Sequence, residues 1–363
     1  MVANNSQPHI QSPAVSTMVL TEETDFNSIH EEWDSLVDAS FQRACFLRCE
    51  WNRAWWRSFA TRENQLFMIT CRDERDRLVG LAPFYLKPTD STDLSNARQV
   101  CFLGTNLGVI GLSDRDIIVR SGYESSVALA VVERLRQSSQ WDDLWLDGIP
   151  AASTVLPHLR LALHHRAQVI ARNPIAYIDA TIDWETFSRT LSRAVRKSIN
   201  RSTRRLFALY ECEFRCVETE DELAVALTAL MSLHRARWKS QPVPDTLNIP
   251  HIEEFLRHMA QRSLPGNRLR LWTLALDGRI VAAEMAFFDA GVIYHVQTGF
   301  DPDYAKESVG TVLLMMCIKD SIERETVREI IIGKHAGYKK HWTKTSWGTV
   351  QLTLRRSDWS SPT

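Results

Sequence analysis

Residues 269–300 constrain the fold most, because they predict three antiparallel strands in direct succession. The stretch reads LRLWTLAL, Asp277-Gly278, RIVAAEMAFF, Asp289-Ala290-Gly291 and VIYHVQTGF, so two turn signals separate three apolar, strand-like runs. Asp-Gly between such runs is one of the strongest hairpin signals in a sequence. A β-meander is therefore expected in the second half of the chain.

A similar arrangement occurs in the first half, where LFMITC, a charged turn and RLVGLAPFYL predict another meander. Aligning Arg77-Leu78-Val79-Gly80 with Arg279-Ile280-Val281-Ala282 superposes the two, and each is followed by a predicted helix, near Glu124 and near Glu307. The chain is interpreted as two diverged copies of one α/β unit, with mixed, mostly antiparallel sheets flanked by helices. Helices are predicted at 33–38, 50–59, 123–137 and 188–206.

This repeat predicts a disordered tail at 1–18, an N-terminal domain at 19–165 and a C-terminal domain at 166–363. The join is expected near 148–174, where GIPAAS and RNP supply turn residues. Only the second copy has a carboxylate and a glycine at the matched positions, Glu284 and Gly310. A single active site is therefore expected in the C-terminal domain, with the first copy as its wall.

Composition excludes several classes of protein. The 43 Lys and Arg nearly balance the 44 Asp and Glu, so any contact with nucleic acid must be local. Seven scattered cysteines without a CxxC pair are typical of reduced thiols, and hence of a cytoplasmic protein. The first eighteen residues lack the regions of a signal peptide, and no apolar run approaches the ~20 residues that cross a bilayer.

Glu284 lies inside the apolar strand RIVAAEMAFF. An ionised carboxylate is costly to bury unless it is paired, hydrogen-bonded or faces a wet cleft. Such surroundings suit a general base that acts near neutral pH. A solvent-facing edge position or a satisfied salt bridge is the structural alternative.

The turn after this strand decides which residues share the face of Glu284. A three-residue loop at 289–291 pairs Glu284 with Val296, and is favoured because a two-residue type I′ turn needs a positive φ at Ala290. A bulge would change this register. The prediction therefore places Tyr294 and Thr298 on the face of Glu284, and His295 and Gln297 on the other.

Two later segments have polar groups in positions suited to ligands. FDPDYAKESVGTVLLMMCI predicts a loop that enters a helix capped by Ser308, and such a helix start either binds an anion or is simply a capped end. GKHAGYKKHW, at 333–342, follows a short apolar strand and is either an active-site loop or a solvated basic turn. HExxH, GxSxG, GxxxxGK and GxGxxG are absent, so the sequence gives no support for a metal site, a serine nucleophile or a nucleotide loop.

A basic stretch at 186–210 contains no acidic residue. The spacing of three and four residues puts most of its charges on one helix face. That face is either solvated or a dock for a phosphate-rich partner, such as tRNA, a carrier protein or the CoA nucleotide. The seven charges are Arg189, Arg193, Arg196, Lys197, Arg201, Arg204 and Arg205.

Four motifs in the second half together resemble the FemAB/CelD-like branch of the GNAT acyltransferase superfamily. They are LHRARW at 233–238, LDGRIVAA at 276–283, TGFDPDYAKESVG at 298–310 and GYKKHW at 337–342. The first half fits as well, with tryptophans at 51–56 before a meander ending GLAPFYL, so the likeness spans roughly residues 20 to 356. The resemblance implies two tandem GNAT domains, in which an acyl thioester binds where the central strands splay.

The same resemblance implies roles for individual residues. The splayed strand would be 279–288, Glu284 would take a proton from an attacking ammonium, and Tyr338 would protonate the leaving thiolate. The pyrophosphate of the donor would bind at Ser308, Val309, Gly310 and Thr311. Contacts to substrate or phosphate are assigned to His234, Arg237, Tyr294, Gln297 and Lys339, and no metal is expected.

The donor is less well defined than the reaction. The superfamily pattern Arg/Gln-x-x-Gly-x-Gly/Ala reads Glu307-Ser308-Val309-Gly310-Thr311-Val312 here, and its acid and final valine weaken the expected grip on pyrophosphate. This departure favours an acyl donor that is attached to a carrier protein or to tRNA. That partner is expected to bind through Arg189, Arg193, Arg196, Arg201 and Arg204.

Three classes of function are therefore weighed. The first is an N-acyltransferase that takes its acyl group from acyl-CoA or an acyl carrier protein and gives it to an amine of a small molecule or peptide. The others are a Fem-type enzyme that uses aminoacyl-tRNA and a non-catalytic binding module, against which Glu284 and GYKKHW count. A thioester is preferred over tRNA because seven charges are a modest footprint for a duplex-binding protein.

Overall fold

The computed structural model describes residues 13–89, 97–105, 114–239, 246–324, 326–334 and 337–360, without the side chains of Thr246, Tyr338 and Ser360. The helices are α1 (Asp25–Ser28), α2 (His30–Asp38), α3 (Cys49–Phe59), α4 (Glu124–Gln137), α5 (Leu156–Ala162), α6 (Trp184–Thr190), α7 (Arg193–Leu209), α8 (Glu220–Trp238), α9 (Ile252–Ser263), α10 (Val309–Ile322) and α11 (Arg356–Ser360). No helix within these ranges is long and apolar enough to cross a membrane.

The strands form three sheets. They are β1 (Ser16–Leu20), β2 (Gln65–Leu66), β3 (Met68–Arg72), β4 (Leu78–Ala82), β5 (Phe84–Pro88), β6 (Arg98–Phe102), β7 (Ile118–Val119), β8 (Asp143–Pro150), β9 (Gln168–Ala171), β10 (Ile175–Asp179), β11 (Cys212–Cys216), β12 (Leu269–Leu276), β13 (Arg279–Asp289), β14 (Val292–Phe300), β15 (Glu329–Lys334), β16 (Ser346–Trp347) and β17 (Thr349–Arg355). Their orders are β1-β3-β4-β7, β2-β5-β6-β8-β17-β9 and β11-β12-β13-β14-β15-β10-β16.

The two halves share one order of elements, which confirms the predicted repeat and the mixed α/β class. In the second half, the meander β12-β13-β14 is followed by α10 and by β15, which lies parallel to β14. In the first half, β3, β4, β5 and β6 are followed by α4 and by β8, which lies parallel to β6. A parallel strand needs a crossover, and each half uses a helix for it.

Three predicted boundaries differ from the structure. The strand β17 is inserted between β8 and β9 in the sheet of the first half, although 349–355 was assigned to the C-terminal domain. Part of the predicted tail is ordered, since β1 pairs with β3, while residues 1–12 lie outside the described ranges. The helix predicted at 188–206 is two helices, because the Ser192 side chain accepts a hydrogen bond from Val195 N–H and begins α7.

A shared core holds the halves together. Trp51 of α3 packs edge-on against Phe255 of α9, at 5.1 Å between ring centroids, and against Phe287 of β13 at 5.3 Å. Beside them, the buried guanidinium of Arg48 donates two hydrogen bonds to Asp289, at 2.8 and 2.9 Å. A bidentate pair of this kind has a fixed geometry, so it orients α3 against the end of β13. The first half therefore supports the back of the sheet that carries Glu284.

Candidate active site

The central opening of the second half lies between β14 and β15. Their parallel pairing runs from Val292 and Glu329 to Tyr294 and Ile331, and then ends. Beyond that point, within the described ranges, β14 pairs with β13 alone. The sequence prediction of a splayed strand at 279–288 is wrong, because β13 is paired on both sides with β12 and β14.

The turn between β13 and β14 has two residues instead of the predicted three. Ala290 (φ 47°) and Gly291 (φ 84°) are both left-handed, as a type I′ turn requires, and Asp289 pairs with Val292. This turn matches the twist of the strands, which explains why Ala290 accepts the strained conformation.

A register shift between Met285 and Ala286 then skips one residue of β14. The turn moves the pairing by one residue and the shift moves it by another, so beyond the shift the pairing differs by two residues and each side chain is again on its predicted face. Thr298, instead of the predicted Val296, is therefore opposite Glu284. Thr298 lies on the face of Glu284 and Gln297 on the other face, as predicted. Between the turn and the register shift, the predicted faces of Tyr294 and His295 are wrong.

His295 consequently lies on the face of Glu284, opposite Ala286, and Tyr294 lies on the other face. His295 Nδ1 is 2.9 Å from Glu284 Oε1, with side chains only 4% and 9% exposed. A carboxylate only accepts hydrogen bonds, so Nδ1 carries the hydrogen when Glu284 is ionised. The His295 Nε2 is buried and has no partner among the described residues. Sequence reasoning missed this histidine because of the register error.

Trp272 of β12 fixes the imidazole from one side. Its ring stacks on His295 with centroids 5.7 Å apart, and its Nε1 donates a hydrogen bond to Asp320 of α10 at 2.8 Å. The histidine, in turn, holds one oxygen of Glu284. A sheet residue and the donor-side helix therefore both contribute to the orientation of the carboxylate.

A cavity of about 200 Å³ lies next to this pair. It brings together Glu284, Thr298, Arg237 and all four residues predicted to bind the donor, Ser308 to Thr311, with Trp342 in its wall. These residues come from three separate parts of the chain. Their convergence in one cavity is what the motif positions alone did not show.

The donor-side wall is the beginning of α10. Ser308 occupies the N-cap position in a left-handed conformation (φ 60°), and its side chain makes no cap hydrogen bond, contrary to the predicted cap. Its carbonyl accepts from Thr311 and Val312 N–H, while the N–H groups of Val309 and Gly310 have no backbone acceptor among the described residues. Free N–H groups at a helix start favour anions.

Gly310 is required here by packing. A Cβ on Gly310 would lie 2.9 Å from Phe300 Cδ1, too close for an ordinary contact. The helix start can therefore approach the end of β14 only with glycine at this position.

Two cationic side chains lie near the carboxylate. The Arg237 guanidinium sits 4.8 Å from the centre of the Phe300 ring and lines the cavity. Burial lowers the pKa of the Lys339 ammonium; the negative charge of Glu284 opposes this effect, and Arg237 and Lys334 add to it. Lys339 belongs to a short 3-10 helix, Gly337–His341, that also contains Tyr338, whose side chain lies outside the described part of the structure.

The remaining predicted substrate contacts lie away from the cavity wall. His234 Nδ1 is 2.8 Å from both Gln297 Nε2 and the Thr298 carbonyl oxygen, so this pair holds α8 against β14. Tyr294 packs edge-on against Phe46 of the first half at 4.8 Å. Among the described residues, no group of three or more His, Cys, Asp or Glu side chains is arranged to hold a metal ion.

Part of the second half matches a known family of domains. Residues 193–340 match the family model described as acetyltransferase (GNAT) domain, and this range contains Glu284, the start of α10 and Lys339. This match identifies an acyltransferase domain of the GNAT type within the second half of the chain. No curated protein matches the chain.

Solved structures of low sequence identity share the fold. FemX is similar over 94% of this chain and 97% of its own, at 8% identity and a TM-score of 0.64. A conserved protein of unknown function from Bacteroides thetaiotaomicron is similar over 93% of this chain and 100% of its own, at 10% identity and a TM-score of 0.61. The C-terminal domain assigned to a lysylphosphatidylglycerol synthetase from Agrobacterium fabrum is similar over 92% of this chain and 94% of its own, at 11% identity and a TM-score of 0.55. Residues 193–340 therefore match a GNAT domain, and the chain as a whole shares the fold of FemX.

Replacing Glu284 with Gln should lower the rate of acyl transfer about 10²-fold or more, since the amide keeps the volume but cannot accept a proton. The measurement is the release of free thiol from an acyl thioester in the presence of amines at pH 7. The matched control is Glu213→Gln, which changes a half-exposed carboxylate on β11. Turnover of Glu284→Gln near that of the control would leave Glu284 as a structural residue.

Replacing His295 separates orientation from mere packing. His295→Leu removes the donor to Glu284 and should lower kcat about tenfold or more, whereas His295→Asn, which places an N–H near the position of Nδ1, should recover most of the loss. The KM for the donor should change little in both variants. Equal losses in the Leu and Asn variants would contradict an orienting hydrogen bond.

Proposed function

We propose that this protein is an N-acyltransferase that moves an acyl group from a thioester, carried by CoA or by an acyl carrier protein, to a primary amine. The observation that carries the proposal is the shared cavity of Glu284 and the start of α10. One cavity thus offers a base for the amine and free N–H groups for the phosphates of the donor.

The opening between β14 and β15 suits the thioester. Parallel pairing ends at Tyr294, so from His295 onward the inner edge of β14 is free of β15. A thioester carbonyl placed there can accept hydrogen bonds from backbone N–H groups, which also stabilise the oxyanion of the tetrahedral intermediate. Pyrophosphate would then bind at Val309 and Gly310.

The reaction needs no covalent enzyme intermediate. Glu284 takes a proton from the acceptor ammonium, and the free amine forms a C–N bond to the thioester carbon. The intermediate then breaks its C–S bond, and the second proton from nitrogen replaces the one that the thiolate receives, so an amide and a thiol are released. We assign the proton delivered to the thiolate to Tyr338, which follows Gly337 in the segment that carries Lys339.

Arg237 and Lys339 support an anionic group near the reacting atoms. Lys339 is partly desolvated and close enough to Glu284 to feel its charge, and Arg237 faces the same cavity. Two cations beside one carboxylate leave a positive balance for a phosphate or carboxylate of the substrate. In this scheme His234, Gln297 and Tyr294, which were predicted as substrate contacts, are assigned supporting roles, because their own contacts lie away from the cavity wall.

A Fem-type reaction with aminoacyl-tRNA is the second candidate. It is favoured by the fold likeness to FemX and by Glu307, an acid where the superfamily pattern has Arg or Gln.

A cytoplasmic location suits either donor and agrees with seven free cysteine thiols. The domain division at 165 also remains a proposal, with β9 and β17 counted in the first sheet.

Thr311→Glu tests the donor position. Thr311 is exposed at the third position of α10, where a carboxylate stabilises the helix but repels a pyrophosphate. The Kd for CoA, measured by titration calorimetry, should rise about tenfold or more, because like charges brought together at a binding surface are strongly unfavourable. The control is Lys319→Glu, near the other end of α10, which should bind CoA like the wild type. Equal affinities of the two variants would place the donor elsewhere.

A further inference from the structure

The helix α7 presents an unusually basic face to solvent. Arg193, Lys197, Arg201 and Arg204 are exposed, and Arg205 is 57% exposed at its side chain. No carboxylate of the described residues lies within ion-pair distance of Arg193, Arg201 or Arg204; the predicted dock residue Arg189 belongs to α6 and pairs with Glu185 at 3.1 Å. The opposite face is fixed by buried Ile199 and Leu206, so the charges cannot turn inward.

Two apolar side chains extend this face at the end of the helix. Phe207 is 50% exposed and Leu209 is 56% exposed. Phe207 follows Arg204 by three residues and Leu209 follows Arg205 by four, so each apolar group lies beside a basic one. An aromatic side chain next to arginines is the composition of protein–protein contact sites.

The same end of α7 lies beside the entrance to the donor site. Arg205 is 3.7 Å from Glu307, the residue before Ser308. Tyr210, which ends the helix, packs edge-on against Tyr304 at 5.9 Å, in the 3-10 helix Pro302–Glu307 that leads into α10. A partner docked on α7 therefore has the phosphate of its phosphopantetheine arm next to Val309 and Gly310.

We propose that α7 docks a small acidic carrier protein that delivers the acyl group on a phosphopantetheine thioester. This inference rests on the proposed function and specifies its donor. Acidic side chains of the carrier match Arg193, Arg201 and Arg204, and its apolar contact matches Phe207. The flexible arm then enters at Ser308.

Two observations favour a protein over a nucleic acid as the occupant. Phe207 and Leu209 offer apolar area, which a phosphate backbone does not need. The charges also occupy a single helix of 17 residues, about 26 Å long at 1.5 Å per residue, which matches the helix of a small domain better than an extended duplex. A site at the donor entrance further argues against a surface that merely attracts anions.

Binding measured separately from turnover tests the dock. Holo acyl carrier protein from a bacterial fatty-acid synthase is titrated against the wild type, Arg201→Glu/Arg204→Glu, Phe207→Ser, and a control with the same charge change, Arg62→Glu/Arg75→Glu, two exposed arginines of the first half. The α7 double variant should weaken binding of the carrier protein about tenfold or more. It should also increase the preference for acyl-CoA over the carrier protein that bears the same acyl group. Phe207→Ser should weaken binding without changing its dependence on salt.

The outcomes separate the dock from the reaction. Carrier binding that depends on α7, with no turnover of any thioester, supports the dock and refutes the proposed function. Equal carrier affinity in the α7 and control variants overturns the dock even if acyl-CoA is consumed. Salt-sensitive binding of tRNA, lost in the α7 variant while the carrier does not bind, also overturns it and assigns α7 to nucleic acid.

Discussion

The active site depends on one break in the sheet, the end of pairing between β14 and β15 after Tyr294. Close contact with α8 holds the outer part of β14 in place: a Cβ on Gly299 would lie 2.5 Å from the backbone nitrogen of His234. The contact of His234 with the Thr298 carbonyl oxygen secures the same approach. On the other side, β15 pairs with β10. Since β14 is held by β13 and α8, and β15 by β10, the two strands diverge without losing their other partners.

The divergence of the two strands lowers the free-energy cost of placing a carboxylate inside the sheet. Glu284 is 7% exposed, yet it faces His295, the cavity and the charge of Lys339 instead of a closed core. A buried carboxylate without such neighbours would be strongly unfavourable. The hydrogen bond from His295 occupies one oxygen, and the second remains for an acceptor amine. The burial of Lys339 favours an anionic substrate group beside it, because a lysine in low dielectric tends to attract an anion or lose its charge.

Much of the site was predictable because it depends on local patterns. An acid inside an apolar strand, glycine at a helix start and an Asp-Gly turn are visible without any tertiary structure. For this reason Glu284 and the helix start from Ser308 to Thr311 could be named. Arg237 was assigned from the family resemblance, and it lines the same cavity. His295 could not be named, since its face depends on a type I′ turn with alanine at a strained position and on a bulge, each of which reverses the face.

Pairings between distant segments were out of reach for another reason. Nothing in TVQLTLR states that β17 completes the sheet of the first half, because alternation shows a strand but not its neighbour. The same holds for the break beside β14, which was assigned to β13 from the family resemblance. Arg48 and Asp289, 241 positions apart, likewise show no local sign of their buried contact.

The most direct test of the account is a crystal structure with a non-hydrolysable thioether analogue of acyl-CoA. The account predicts the acyl carbonyl in the gap between β14 and β15, within reach of Glu284, and the pyrophosphate on the N–H groups of Val309 and Gly310. An analogue bound in the first half of the chain, or with its acyl group outside the gap, would contradict it.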